Sequence, residues 1–475
     1  MPAPAVLDFM FGRDAVMAAA ALILAAAACA KAFRRRSPEV RKRGVILRDC
    51  TSRRGFARGA LFSSPAAEVT LAGISIPGRD ETKHFKIIGT TGTGKSTVIR
   101  EILGAALARG DRAVVADPDG GYRARFFHRY RGDILLNPFE PDSVKWDPFA
   151  EINDAYDVDQ LASGLIPSGG DPSSSEWRAY ARTFLCAVLR RSREGGSRSP
   201  SELWRLLSAA SPEELRPVVA GSPAQPFLEG ENARMFGSIR SVAVSAMAAF
   251  EYVQRQRAAP FSVRQWVRRR STSGVLFMPY KAGQIAALRS IIATWMRLAI
   301  FEALSAEENR DQRLWIVIDE LDALGAIDGL KDALARLRKF GGRCVLGFQS
   351  IAQVSGTYGG GDAQTIIENC GNTLILRCSG SENGGTSQFA SRLIGEREVL
   401  RRQISRGSDR DGAWSSRGAR RSKNTSEQHV TEAAVMPSEI EQLPDFMGYL
   451  KTASSPAWLK VAFDRRSSLP GQAHE

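Results

Sequence analysis

The chain of 475 residues is long enough for two or three domains whose cores need no disulfide support. Apolar residues make up 43% and charged residues 24%, a composition that excludes a mostly disordered or collagen-like chain. Six cysteines without a CxxC pair, and four histidines, argue against a disulfide framework and a zinc site.

Two short segments carry the net charge of +14. Residues 31–60 hold eleven Lys and Arg against two acidic residues, and residues 401–423 hold eight against two. The rest of the chain is therefore close to neutral. Each basic segment suits a polyanion, either anionic lipid or nucleic acid, and the second could also be a solvated linker.

The first predicted element is an apolar run over Ala15–Ala30, followed at once by basic residues from Lys31 onward. As a helix the run spans about 24 Å, and Phe33 can supply the missing turn, so we predict one transmembrane helix at about residues 15–33. The basic flank predicts that most of the protein lies in the cytoplasm. A cleaved signal peptide and an Ala-rich helix that stays in water are the alternatives.

The strongest pattern is a phosphate-binding loop between a strand and a helix. A buried strand is predicted over His84–Ile88, and apolar residues at helical spacing follow from Ile99 to Leu107. Glycines let backbone N–H groups face phosphates, which the helix N-terminus also attracts. Lys95 is predicted to hold the β- and γ-phosphates of ATP, and Ser96 to bind Mg²⁺. The loop predicted to bind nucleotide consists of Gly89, Thr90, Thr91, Gly92, Thr93, Gly94, Lys95 and Ser96.

A second buried strand, Leu314–Ile318, ends in a pair of carboxylates. In P-loop hydrolases a carboxylate at this position orients Mg²⁺ and its neighbour polarises the attacking water. We therefore assign Asp319 to the metal and Glu320 to the water. The alternative is a buried strand followed by an acidic helix cap.

Two more strands end in polar side chains. Cys344–Phe348 leads into Gln349, which could read the γ-phosphate or hold the water, although exposed glutamines are usually just solvated. Thr373–Leu376 leads into Arg377, a candidate arginine finger that would reach the ATP of a neighbouring subunit. A surface salt bridge is the alternative role for Arg377.

The order of elements predicts an α/β fold with a mainly parallel sheet, divided by an inserted all-α domain. Strands and helices alternate in residues 45–154 and 271–463, whereas residues 155–270 contain helical patterns and no clear strand. Residues 404–428, rich in Ser, Arg and Gly, are predicted to form a flexible basic loop. Residues 1–36 would be the membrane anchor and 464–475 a short tail. The predicted helices of the insertion are Trp177–Arg191, Pro200–Ser208, Ser211–Val219 and Ala233–Gln254.

These motifs together resemble the type IV coupling proteins of the TraD/TrwB type, RecA-like P-loop ATPases of the FtsK/HerA group. The resemblance extends from about Ile74 to Phe463 and rests on the segments GTTGTGKST, VVADPDGG, LNPFEPDSVKWDPFAEI, WIVIDELDALG, VLGFQS and AAVMPSEIEQLPDFMGYLK. It implies a homo-hexamer at the bacterial inner membrane that pumps single-stranded DNA, with its relaxase, into a type IV secretion channel. It also implies contact between the helical insertion and the relaxosome.

By motif position, the resemblance adds Thr97 to the residues on the nucleotide and places Arg377 at the subunit interface. Many relatives have two membrane helices and some have a long acidic tail, whereas this sequence shows one predicted span and ends at Glu475 without such a tail. Two other functions remain open. One is a secretion ATPase for protein substrates or an FtsK-like pump for duplex DNA. The other is a membrane adaptor that binds nucleotide without hydrolysing it.

Overall fold

The computed structural model describes residues 42–51, 68–168, 172–196, 198–269, 273–305, 307–309, 312–382, 384–408 and 421–464. These residues form two compact units. The first consists of residues 42–45 and 394–435, and the second of residues 46–393 and 436–464. The described residues of the predicted helical insertion, 155–270, are part of the second unit.

The strands and helices follow in chain order. The strands are β1 (Lys42–Gly44), β2 (Ile46–Asp49), β3 (Val69–Leu71), β4 (Ile74–Ile76), β5 (Phe85–Ile88), β6 (Arg112–Pro118), β7 (Ile134–Leu135), β8 (Lys145–Trp146), β9 (Pro260–Phe261), β10 (Val275–Tyr280), β11 (Leu314–Ile318), β12 (Gly342–Phe348), β13 (Asn372–Ile375), β14 (Glu396–Ser408), β15 (Arg421–Ala433), β16 (Met447–Lys451) and β17 (Ala457–Ala462). The α-helices are α1 (Gly78–Glu81), α2 (Lys95–Ala108), α3 (Arg123–Phe126), α4 (Ala155–Leu165), α5 (Pro172–Glu194), α6 (Pro200–Ser208), α7 (Pro212–Val219), α8 (Ala233–Ala246), α9 (Phe250–Val253), α10 (Val263–Arg268), α11 (Ile285–Leu304), α12 (Leu330–Leu337), α13 (Ile351–Tyr358), α14 (Gly360–Glu368), α15 (Gly385–Ile394) and α16 (Pro437–Glu441). Short 3₁₀ turns lie at Arg129–Arg131, Pro148–Glu151, Gln225–Leu228, Gly230–Asn232 and Arg338–Phe340.

The second unit is built on a ten-stranded sheet. Its order is β2-β17-β16-β13-β5-β12-β11-β6-β10-β7, and of these ten strands β16 alone runs against the others. Strands β5, β11 and β12 are buried along their whole length, as expected where helices cover both faces of a parallel sheet. The α/β class and the mainly parallel sheet are therefore confirmed.

The apolar core fixes the position of the first helix after the P-loop. Helix α2 buries Val98, Ile99 and Ile102 against side chains of the sheet that include Phe85 and Trp315. The rings of Phe85 and Trp315 lie 5.8 Å apart between centroids. Because α2 begins at Lys95, this packing holds the P-loop against the end of β5.

A buried carboxylate joins the two ends of the helical segment of the second unit, which is the predicted insertion at residues 155–270. Glu151, which is 1% exposed, accepts hydrogen bonds from Trp146 Nε1 at 2.8 Å and Ser262 Oγ at 2.9 Å. It also accepts from the backbone N–H groups of Val263 and Arg264 at 2.7 and 3.0 Å. Glu151 therefore ties the chain that enters the helical segment to the chain that leaves it, which explains the WDPFAE part of the family-like pattern.

Two predicted features of this segment differ in detail. The helix predicted over Ala233–Gln254 is divided into α8 and α9, because hydrogen bonds to the third preceding residue, from Met247 N–H to Val244 O and from Ala248 N–H to Ser245 O, tighten the chain into a turn. The segment also contains the two-residue strand β9, which pairs with β8.

The first unit is a three-stranded antiparallel sheet with the order β1-β14-β15. Strands β14 and β15 form a ladder that runs from the pair Glu396–Ala433 to the pair Ser408–Arg421. The prediction of a loop over residues 404–428 is therefore wrong for 404–408 and 421–428, and 409–420 lie outside the described residues. The backbone supplies the ladder bonds, so this hairpin forms without the alternating apolar side chains that usually predict strands.

The predicted membrane span at about residues 15–33 also lies outside the described residues. Within the described ranges, every helix falls short of the length or the apolar character needed to cross a bilayer.

The buried ring of His84 predicts a pH-dependent stability. Its Nδ1 accepts the N–H of Cys344 at 3.1 Å, so its Nε2 must carry the proton that it shares with Leu334 O at 2.9 Å. Burial lowers the pKa of His84 to about 4 from the ordinary 6.5. The folded state therefore resists protonation, and the stabilisation is complete above pH 6.5 and is lost as the pH falls through 4.

We expect His84→Asn to remove this dependence. The free-energy advantage of the wild-type chain over the variant should shrink by up to about 3 kcal/mol between pH 6.5 and pH 4. Urea unfolding of both full chains across this range measures the difference, and an advantage that does not change with pH would contradict the assignment.

Candidate active site

The predicted site residues follow strands that end at one edge of the sheet. Strand β12 lies between β5 and β11, and β13 pairs with the other side of β5, all in parallel. The P-loop, Asp319, Gln349 and Arg377 come directly after these strands. In open parallel sheets the carboxyl edge is where ligands bind, so the topology gathers these side chains in one place.

The P-loop takes a backbone path that requires glycine. Gly92 and Gly94 have φ angles of +82° and +106°, in the left-handed region that side chains disfavour. A Cβ on Gly94 would also lie 2.9 Å from a ring carbon of Phe446, and one on Gly89 would lie 2.8 Å from Leu376 Cβ. The loop is therefore both strained for other residues and closely packed.

Backbone hydrogen bonds hold the loop at two points. Thr90 N–H donates to the carbonyl of Arg377 at 2.9 Å, and Thr93 O accepts the N–H of Phe446 at 3.0 Å. Inside the loop, Thr93 Oγ1 donates to Thr90 O at 2.7 Å. Thr90 and Thr93 thus fix the loop to the segment that follows β13 and to the turn before β16.

The two predicted metal ligands are in contact. Ser96 Oγ donates to Asp319 Oδ2 at 2.6 Å, across a sequence separation of 223 residues. Lys95 Nζ and Asp319 Oδ1 are buried atoms without a hydrogen-bond partner among the described residues. A buried cation and a buried carboxylate oxygen that lack partners are the groups that a phosphate and a divalent cation would satisfy, so the site fits a Mg²⁺–nucleotide.

The remaining hydrolytic candidates form a short chain of hydrogen bonds. Gln349 Nε2 donates to Glu320 Oε1 at 3.0 Å, and Thr91 Oγ1 donates to Gln349 Oε1 at 3.0 Å. Burial raises the pKa of Glu320, the charge of Lys95 opposes this shift, and the carboxylate of Asp319 adds to it. Gln349 therefore orients Glu320 towards one end of the P-loop.

A cavity of about 420 Å³ lies over these residues. Three of its lining side chains, Arg100, Arg125 and Phe446, were not predicted from the sequence. The spacing of Arg100 one helical turn after Ser96 was a usable signal, whereas Arg125 and Phe446 follow from the fold alone. The predicted residues that line the cavity are Thr90, Thr91, Gly92, Gly94, Lys95, Ser96, Thr97, Glu320 and Gln349.

Arg377 has partners within its own chain. Its guanidinium donates to Asp445 Oδ1 at 2.6 Å and to Leu443 O at 3.2 Å. Its predicted role as an arginine finger stays a prediction.

Asp117 and Tyr122 also belong to this edge of the sheet and were not predicted as site residues. Tyr122 donates from its hydroxyl to Asp319 Oδ2 at 2.8 Å, and its N–H donates to Asp117 Oδ1 at 2.9 Å. Burial raises the pKa of Asp117 to about 6, against the effect of backbone N–H donors from Tyr122 and Arg123. The position of Asp117 at the end of a buried strand was a signal in the sequence.

Comparison with known proteins identifies the family. The model of the type IV secretion-system coupling protein DNA-binding domain matches residues 68–464. The coupling protein TraD of Escherichia coli K12 is 31% identical over 395 residues, or 81% of this chain and 53% of TraD. A conjugal transfer protein TraG of Escherichia coli is 22% identical over 406 residues, or 76% of this chain and 62% of TraG. The chain thus spans little more than half the length of these relatives.

Solved structures agree with this comparison. The unbound bacterial conjugative coupling protein TrwBdeltaN70 superposes with a TM-score of 0.76 at 30% identity, covering 86% of this chain and 92% of that one. The plasmid coupling protein TrwB in complex with ADP and Mg²⁺ has a TM-score of 0.74 at 31% identity, covering 86% and 90%. The resemblance drawn from the sequence is confirmed, and the chain belongs to the coupling proteins of type IV secretion systems.

Proposed function

We propose that this protein is an ATPase that pumps single-stranded DNA into a type IV secretion channel. The observation that carries the ATPase part of the proposal is the contact between Ser96 and Asp319 beside two buried atoms without partners among the described residues, Lys95 Nζ and Asp319 Oδ1. The structure of TrwB with ADP and Mg²⁺, which shares this fold, supports ATP and Mg²⁺ as ligands. The family description supports DNA as the cargo.

Each side chain has a role in hydrolysis under this proposal. Lys95 holds the β- and γ-phosphates, and the loop from Gly89 to Thr97 donates backbone N–H groups to them. Ser96 and Asp319 hold Mg²⁺, which when bound neutralises phosphate charge. Glu320 polarises the attacking water, and Gln349 keeps Glu320 in place.

The DNA part of the proposal rests on charge and on the family. The second basic segment, residues 401–423, lies on the hairpin of β14 and β15 and on the residues between them. Neutralising DNA phosphates releases counterions, so binding should weaken steeply with salt. The first basic segment suits lipid headgroups beside the predicted anchor.

Location and assembly are further parts of the proposal. We infer a homo-hexamer at the bacterial inner membrane that receives the relaxase-bound strand and contacts the secretion channel. In such a ring Arg377 would have to exchange Asp445 for the ATP of a neighbouring subunit. These inferences rest on the relatives alone. They stay proposals because the chain spans only part of the relatives' length.

The test measures ATP hydrolysis by the full chain with no DNA, single-stranded DNA and duplex DNA, at low and moderate salt. We expect single-stranded DNA to stimulate turnover, and Lys95→Ala to abolish it because the phosphates lose their cation. Lys339→Ala is the matched control, since Lys339 is exposed and its contact with Glu308 is 3.7 Å long.

Each of the other outcomes would support a different function. Stimulation by duplex DNA would indicate a duplex pump, and turnover that ignores DNA would indicate a protein-substrate ATPase. Nucleotide binding without turnover would indicate an adaptor.

A further inference from the structure

Asp319 is held by a second donor besides the P-loop serine. Tyr122 is 1% exposed, and its hydroxyl donates to Asp319 Oδ2 at 2.8 Å. Ser96 Oγ donates to the same oxygen at 2.6 Å. Both donors therefore converge on Oδ2, and Oδ1 stays without a hydrogen-bond partner among the described residues.

A built turn delivers Tyr122 to this position. Asp117, at the end of β6, accepts the backbone N–H groups of Tyr122 at 2.9 Å and Arg123 at 2.7 Å. Between them, Asp119 and Gly120 take left-handed φ angles of +57° and +69°, which reverse the chain. Asp119 N–H also donates to Tyr280 O at 2.8 Å, which ties the turn to β10. The turn is thus fixed at both ends, and the phenol has little freedom to leave Asp319.

These two hydrogen bonds determine which oxygen of Asp319 is available to a metal. An aspartate side chain can rotate and exchange its two oxygens, and a metal ligand that rotates binds less tightly. Two donors on Oδ2 remove that freedom, because rotation would break both hydrogen bonds. Oδ1 is then the oxygen available to the metal or to a water that the metal holds.

We propose that Tyr122 is a positioning residue that fixes Asp319 for Mg²⁺ binding. The inference rests on the proposed function, because it assumes that this chain binds nucleotide with Mg²⁺. It also assigns a role to the VVADPDGG segment, because Asp117 and the turn after it place the hydroxyl of Tyr122, the residue that follows the segment.

A purely structural role for Tyr122 predicts something different. Its ring belongs to the apolar core, and the guanidinium of Arg100 lies 5.5 Å from the ring centroid. Tyr122→Phe keeps the ring and removes the hydroxyl alone. A structural role therefore predicts a change in thermal stability without a change in the Mg²⁺ requirement.

The matched control is Tyr280→Phe. Tyr280 is also buried, at the end of β10 on the same edge of the sheet, but its hydroxyl makes no hydrogen bond to the described residues. Tyr280→Phe also removes one phenolic oxygen at this edge of the sheet, but that oxygen makes no hydrogen bond to Asp319.

The experiment titrates Mg²⁺ against full-length protein and a fluorescent ATP analogue, and follows binding rather than turnover. We expect Tyr122→Phe to raise the Mg²⁺ concentration for half-maximal binding at least about 10-fold, as for other residues that orient a metal ligand. Binding of the analogue in excess EDTA should not change. Tyr280→Phe should match the wild type in both measurements.

A second pair of variants, which lack the Asp319 carboxylate, separates an effect on Asp319 from a general structural effect of Tyr122→Phe. In Asp319→Ala the side chain that Tyr122 would position is gone, so adding Tyr122→Phe should shift the Mg²⁺ requirement no further, whereas a structural effect would persist. A wild-type Mg²⁺ requirement in Tyr122→Phe, or an equal shift in Tyr280→Phe, overturns the inference and leaves the proposed function standing. Failure of the wild-type chain to bind the analogue with Mg²⁺ overturns both.

Discussion

Replacing Glu320 by glutamine should lower ATP turnover by about 10²–10⁴-fold and leave nucleotide binding intact. Glutamine has the shape of glutamate and can still accept the 3.0 Å hydrogen bond from Gln349 Nε2, so the geometry survives. It cannot take a proton from the attacking water. Burial already raises the pKa of Glu320, which moves the carboxylate towards the basicity that a catalytic base needs.

Single-turnover hydrolysis and binding of a fluorescent ATP analogue, both with the full chain, separate the two effects. Glu213→Gln is the control, because Glu213 is an exposed residue in the first turn of α7. Turnover within a few-fold of the wild type would show that another group activates the water. Lost binding would instead indicate that Glu320 holds the nucleotide.

The largest stability effect is expected at Glu81, on a buried cluster of charges. Glu81 is fully buried and accepts two hydrogen bonds from Arg109, at 2.8 and 3.0 Å, and one from Arg343 at 2.7 Å. Arg109 also pairs with Asp111, which accepts the indole N–H of Trp315 at 2.8 Å. Removal of Glu81 would leave the two guanidinium groups with less compensating charge in the interior.

Glu81→Gln should therefore lower the free energy of unfolding by about 3–5 kcal/mol. Glu202→Gln is a matched control, since Glu202 makes a similar two-bond pair with Arg205 but on the surface. Water screens that exposed pair, so its loss should lower the free energy of unfolding far less than the loss of Glu81. Urea unfolding of the three full chains measures both values, and equal losses in the two variants would contradict a special role for burial.

The pKa of Glu81 gives the sign of the pH effect. Burial raises this pKa, but the hydrogen bonds and charges of Arg109 and Arg343 outweigh it and hold the pKa below its ordinary value. The stabilisation is therefore present at neutral pH and is lost as the pH falls through the folded-state pKa of Glu81. In Glu81→Gln this part of the acid sensitivity should be absent.

Local sequence patterns were sufficient to predict the strands that lead into the P-loop and into the Asp-Glu pair. A buried strand followed by GTTGTGKS, or by Asp-Glu, contains its structural context within about ten residues, and β5, β11 and β12 lie where the patterns indicated. Because parallel strands end at one edge, the meeting of Ser96 and Asp319 could be anticipated as well. The helical segment was also visible, since its apolar spacing is a local property.

Partners far apart in the sequence could not be predicted in this way. Tyr122 and Asp319 are separated by 197 residues, and Glu81 and Arg343 by 262. No spacing rule links such residues, because the fold alone brings them together. The hairpin of β14 and β15 was missed for another reason: its ladder depends on backbone groups that every residue carries.

The two backbone bonds that hold the P-loop have a consequence for biosynthesis. Thr90 is bound to Arg377, and Thr93 to Phe446, so both supports come from the last part of the second unit to leave the ribosome. A nascent chain that already displays GTTGTGKS therefore lacks the supports of its loop. We therefore expect competence to bind ATP to arrive late in translation, because an incomplete chain lacks these two hydrogen bonds.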